Sequence, residues 1–226
     1  MLTLLVPVLL LTTTIRLEMN GLGLYVRGFQ LYDVSATTGL SNDTLAQAAI
    51  RIIGYFNSLV DNPQMIVTNA AGTQFELFHD YELIHLADVR LLFAANSVAQ
   101  AACLCLVVVL VLAGFSFGRI PNTLAGLRRG AAVTLVLLTV TGAVFLADFG
   151  RMFTVFHLVA FDNPFWLLDP YTDYLVMLFP FPFWQDMFLL AGAGTAFSAI
   201  LLYVIAARVP RCCHQAPGPS DTKRDV

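Results

Sequence analysis

Leu91–Phe117, LLFAANSVAQAACLCLVVVLVLAGFSF, carries no charged side chain from end to end. As a helix it exceeds the roughly 20 residues that cross about 30 Å of hydrocarbon. Gly130–Phe149 and Met187–Ala207 are runs of the same kind. Of the 226 residues, 58% are apolar and only 12% charged, far more apolar surface than a soluble domain needs. A shorter run, Met1–Ile15, rises only ~22 Å as a helix and contains Pro7. It has neither a basic n-region nor a small-x-small cleavage site, and so reads as a first transmembrane helix rather than a signal peptide. The expected fold is an all-α membrane protein, with four transmembrane helices and a small extracytoplasmic cap.

Charge orients these helices. Arg119, Arg128 and Arg129 follow the second run, and Arg208, Arg211, Lys223 and Arg224 follow the last. Those two segments hold seven of the twelve basic residues and two of the fifteen acidic ones, which makes them cytoplasmic by the positive-inside rule. The expected order is transmembrane helix 1 at 1–15, an outer segment at 16–90 and helix 2 at 91–117. A cytoplasmic loop at 118–129, helix 3 at 130–150, an outer aromatic-rich segment at 151–186, helix 4 at 187–207 and a cytoplasmic tail at 208–226 complete it. No cysteine falls in the outer segments, so no disulfide framework is available there. Cys212-Cys213-His214 reads as a plain juxtamembrane cluster, and Asn42-Asp43-Thr44 is a sequon too common to weigh.

Within 16–90, Ser41-Asn42-Asp43 offers N-capping oxygens. Leu45, Ala48, Ala49, Ile52, Ile53 and Phe56 then mark one face of an amphipathic helix, ended by a turn at Asp61-Asn62-Pro63. Gln64–Thr68 and Gln74–Phe78 can pair as a hairpin. His79–Arg90 runs unbroken into the second apolar stretch and reads as its outer end. Spacing of 100° per residue gathers Glu82, His85 and Asp88 on one arc, with Arg90 nearby. Asp148 and Arg151 take i, i+3 positions at the outer end of the third helix, and His157 follows. Each histidine lies about two turns beyond an apolar run, which puts both at the same depth.

Phe156–Trp184, FHLVAFDNPFWLLDPYTDYLVMLFPFPFW, joins two membrane runs, yet carries a histidine, three aspartates and four prolines among aromatics. A plain connection would be short and polar. Phe153–Phe188 holds twelve of the twenty-seven aromatic residues; part of that density is an interfacial belt, and part encloses polar groups. Glu82-x-x-His85 has di-iron bundle spacing but lacks the second copy that chemistry needs. His-Glu-x-x-His, Gly-x-Ser-x-Gly and a phosphate loop are all missing, and the acidic outer segments exclude nucleic acid. Two histidines with carboxylates at a membrane surface suit acid–base chemistry on a lipid-bearing substrate.

Glu82-x-x-His85-x-x-Asp88-Val89-Arg90 resembles one signature of the bacterial lipoprotein intramolecular transacylases (Lit-type). Phe156-His157, Asn163, Trp166, Asp169-Pro170, Asp173 and Phe179-Pro180 resemble the other. Phe181-Pro182 departs from it, where a polar residue is expected. The resemblance implies a bacterial cell-membrane enzyme whose partners are membrane lipid and a diacylated lipoprotein, with no cofactor or metal. The reaction it implies moves the sn-2 acyl chain of that lipoprotein onto the α-amine of its N-terminal cysteine, giving the lyso form. His85 and His157 would be catalytic, one as base and acid and the other stabilising the oxyanion. His85, with its acidic neighbours, is the favoured base. Glu82, Asp88, Arg90, Asp148, Arg151, Asn163, Trp166, Asp169 and Asp173 would orient these rings or bind substrate. A lipid or lipoprotein ester hydrolase, or a non-catalytic membrane protein with a binding cap, are the alternatives.

Overall fold

A computed structural model describes residues 1–209; the expected tail with Arg211, Lys223, Arg224 and the Cys212-Cys213-His214 cluster lies outside the described residues. Among the described residues four helices are long and apolar enough to cross a membrane: α1 (Leu2–Met19), α5 (Asp80–Ser116), α6 (Ile120–Ala147) and α9 (Phe181–Arg208). Between them come α2 (Leu22–Leu31), α3 (Val34–Thr38), α4 (Asn42–Phe56), β1 (Ile66–Thr68), β2 (Gln74–Glu76), α7 (Phe149–Ala160) and α8 (Tyr174–Leu178). Every long helix outruns the apolar stretch that announced it. Hydropathy records where lipid begins and ends, whereas helical hydrogen bonding continues into the interface. Thus α1 continues past Ile15 through Arg16 and Glu18, and the loop between α5 and α6 shrinks to a turn at Phe117–Arg119. α5 has 37 residues, about 55 Å, and Asp80–Arg90 forms its first turns, ahead of the apolar stretch that starts at Leu91.

α1 is the hub of the four, packing on α5, α6 and α9, while α6 also packs along α9. The bundle closes through small residues, as lipid-embedded helices must where no hydrophobic effect drives them together. Gly126 and Gly130, four apart on α6, receive Leu2 and Val6 of α1. A Cβ on Gly130 would stand 2.7 Å from the Val6 Cβ. Gly130→Leu is therefore expected to force α1 off α6 and to destabilise the protein by about 1–3 kcal/mol. Unfolding in detergent, followed by helicity, measures this, and an unchanged midpoint would contradict the packing.

Residues 20–79 fold over the Asp80 end of the bundle. Ser41 Oγ accepts from the Thr44 N–H at 3.2 Å and starts α4, whose Leu45, Ala48, Ala49 and Ile52 are buried as the spacing predicts. The helix stops at Phe56, before the expected Asp61 turn, where Ser58 takes a left-handed conformation at φ 59°. β1 and β2 pair antiparallel, with Val67 opposite Phe75. One apolar cluster joins Tyr25 and Phe29 of α2 and Leu45 and Ile52 of α4 to Leu86 of α5, Leu178 of α8 and Phe183 of α9. The ends of α5 and α9 are thus held in one core.

The third crossing does not continue through residue 150. Asp148 breaks it at φ −156°, ψ 83°, and its carboxylate accepts from the Arg151 N–H at 2.9 Å, capping a new helix. α7, which carries His157, is therefore separate from α6. Asp148 and Arg151 meet through backbone capping rather than as partners on one helix.

Candidate active site

α5 brings His85 and α7 brings His157 into one cavity of about 830 Å³, with ring centroids 6.1 Å apart. Both imidazoles are buried. Phe153, Phe156, Phe161 and Trp166 surround His157 at centroid distances of 4.2, 5.3, 5.5 and 5.0 Å. Phe161 also meets the His85 ring edge-on at 4.8 Å. The apolar enclosure disfavours charge: burial, then the neighbouring His157 charge, pushes His85 down to about 4 against the pull of Asp88. Burial lowers His157 as well, opposed by its hydrogen bond to Phe153. Burial thus disfavours the charged form of both rings.

The two rings differ in what they offer. His157 Nδ1 lies 2.7 Å from the Phe153 carbonyl oxygen. A carbonyl only accepts, so Nδ1 carries the proton and Nε2 keeps a free lone pair. His85 Nδ1 is buried and has no partner among the described residues. His157 thus has a tautomer fixed by the fold, and His85 holds an unspent hydrogen-bonding atom. Among the described residues no carboxylate hydrogen-bonds either ring, and Asp88 acts on His85 through its charge alone.

The other expected residues build the walls. Asn163 Nδ2 donates to Asp88 Oδ2 at 2.8 Å, and its Oδ1 accepts from the Phe165 N–H at 3.1 Å, fastening the 161–168 loop to α5. Glu82 is fully buried. Its two oxygens accept the His79 and Leu175 N–H groups, each at 2.7 Å, and so latch α8 to the start of α5. Asp173 Oδ1 accepts from Tyr81 at 2.6 Å and from the Thr172 hydroxyl at 3.1 Å, and Oδ2 from the Asp169 N–H at 2.7 Å. Burial would push the Asp173 carboxyl up, but these donors and His79 together hold it below its usual value. Asp169 Oδ1 accepts from the Tyr171 N–H. Arg90 lies off the cavity, bonded to Ser58 at 3.0 Å with its guanidinium 4.7 Å over Tyr55. Asp148 and Arg151 are exposed and line no part of it.

His79 and Tyr81 were not singled out from the sequence, although His79-x-x-Glu82 at a helix start has the spacing of a capping box. His79, Glu82 and Asp173 bring three possible ligand atoms within 4.8 Å of one another. Their carboxylate oxygens already accept amide and hydroxyl protons, so the cluster serves as a clasp. Phe153 was missed too; its i, i+4 relation to His157 was the available signal.

A family model described as lipoprotein intramolecular transacylase Lit matches residues 1–184. The chain belongs to the Lit family. Among solved structures, the membrane-integral Lit of Bacillus cereus superposes with a TM-score of 0.75 at 16% identity, covering 91% of this chain and 93% of that one. A structure of the same protein with a histidine substitution gives 0.73 at 15% identity, over 91% and 89%. At that identity the likeness carries the fold: four membrane helices in the Lit arrangement. No curated protein matches the chain. Membership of the Lit family makes this a multi-pass membrane protein of the lipoprotein transacylases.

Proposed function

We propose that this Lit-family protein moves the sn-2 acyl chain of a diacylglyceryl lipoprotein to the α-amine of its N-terminal cysteine. The observation that supports this is the pair of desolvated imidazoles in one cavity, one with Nδ1 bonded to the Phe153 carbonyl and one whose Nδ1 has no partner among the described residues. The amine nitrogen attacks the sn-2 ester carbonyl, forming a C–N bond and an oxyanion. His157 Nε2 takes the proton released by that nitrogen and returns it to the glyceryl oxygen as the C–O bond breaks. The products are an amide and a free 2-hydroxyl, so no acyl donor or ATP is consumed. His85 hydrogen-bonds the oxyanion in a site where low polarity strengthens that contact. The aromatic wall excludes the water that would hydrolyse the ester, and confinement of amine beside ester supplies much of the rate. Asp88, Asn163, Trp166, Glu82, Asp169 and Asp173 position rings and walls, while Arg90, Asp148 and Arg151 secure the flanking helices.

The cavity faces the extracytoplasmic side, with both termini in the cytoplasm. Arg119 and Arg208 sit at the far ends of α5 and α9 from the histidines, where the positive-inside rule expects a cytoplasmic surface. Mass spectrometry of a lipoprotein's N-terminal lipopeptide, from a host otherwise making only the diacyl form, tests the reaction. Unchanged total mass with one chain moved to the amine is expected. Loss of one acyl mass without N-acylation would make the protein a hydrolase, and no change would make it non-catalytic.

The pH profile checks the proton assignments. A base with a depressed pKa is competent wherever it is neutral, so its acid limb lies below the usual imidazole value of about 6.5. Any limb at neutral pH then belongs to the substrate amine, near 7.7–8. In kcat/KM against pH, an amine analogue of lower pKa should carry that limb with it. A fixed limb at or above pH 6.5 would mean that the rings titrate normally.

A further inference from the structure

Below the histidines the cavity runs along α5 toward the membrane. Its lower walls are apolar, Ile15 and Met19 of α1 with Leu92 and Phe93 of α5, until they reach Asn96. On α5, Asn96 lies about 16 Å of helix rise beyond His85. Its Nδ2 donates to the Thr12 carbonyl of α1 at 3.1 Å. One turn deeper, Gln100 donates to Thr13 Oγ1 at 3.0 Å, and Arg16 donates to Gln100 Oε1 at 3.0 Å. These bonds tie α1 to α5 beside the cavity, and Asn96 is the member of the set that lines it, a polar side chain on an apolar run, where such side chains mark functional positions.

An apolar slot that starts at reacting groups and ends on a fixed amide fits an acyl chain of limited length. We propose that Asn96 is the floor of the acyl slot and sets the length of the chain accepted for transfer, an assignment that rests on the transacylase function above. The ester carbonyl sits at the histidines, the methylenes lie between α1 and α5, and the terminal methyl abuts the Asn96 amide. A longer chain must break the Asn96–Thr12 bond or buckle. Apolar pockets discriminate by roughly tenfold or more per misfit methylene.

The test gives the purified full chain an equimolar mixture of diacylglyceryl lipopeptides differing only in the sn-2 chain, from lauroyl to stearoyl. N-acyl products are then resolved by mass spectrometry. Asn96→Ala is expected to raise the stearoyl-to-lauroyl product ratio about tenfold, and Asn96→Trp to lower it by a similar factor while lauroyl transfer persists. An unchanged ratio in both variants overturns the proposal. So does equal loss of every chain length in both, because a floor must discriminate. Absence of N-acyl product from the unaltered protein at every length would instead remove the transacylase function, and this assignment with it.

Discussion

Replacing His157 by alanine is expected to cut N-acylation by roughly 10²–10⁴-fold, the usual contribution of a positioned proton carrier. The loss should fall on the chemical step. His157 contributes one face of a cage whose other members, Phe153, Phe156, Phe161 and Trp166, remain. Substrate binding should therefore survive, and single-turnover rates should fall with little change in KM. His157→Gln separates proton transfer from shape: it fills the space but carries no basic nitrogen, and should be as inactive as alanine. A glutamine variant that retains most of its activity would relegate His157 to packing.

Glu82→Ala is expected to be the most destabilising single change, costing about 3–5 kcal/mol. Two amide bonds disappear together: the Leu175 N–H is left without an acceptor in a buried setting, and the His79 N–H, at the exposed start of α5, loses its cap. Burial pushes the Glu82 carboxyl up, with the Asp173 charge adding to it, while the two amide donors pull it back toward the ionised form. Glu82→Gln keeps one acceptor oxygen and sets an NH₂ against the other N–H, so it should lose about half as much. Leu175 and Val176 line the cavity, so activity should fall with stability as α8 comes off α5. Unfolding in detergent, read beside activity, tests both. A Glu82→Ala protein as stable as its parent would show that the latch carries no weight.

The sequence made the crossings and the two histidines legible to different degrees. Lipid demands long apolar runs, and His85, on the unbroken α5, has its place fixed by helix rise. His157 lies beyond the break at Asp148, where helix rise no longer counts. His85 and His157 do meet, at 6.1 Å. What stayed hidden depended on where loops travel. Helical spacing put Glu82 on the arc of His85, but its partner is an amide 93 residues on, reached only once the 161–178 segment has folded back. Asp148 and Arg151 read as neighbours on one helix; the chain breaks there because a short carboxylate can cap a new helix as readily as it decorates an old one. The base role proposed for His157 rests on a hydrogen bond to the Phe153 carbonyl, which no pattern of side chains announces.

The break at Asp148 has a mechanical consequence. His85 rides on an unbroken rod of 37 residues, whereas His157 rides on a short helix uncoupled from its own transmembrane neighbour. A bilayer that grows thicker or thinner is met first by the tilting of long helices. A tilt of α5 relative to α7 is therefore expected to change the distance between the two rings. Turnover in vesicles of graded acyl length tests this: the same rate at every thickness would show that the two helices move together.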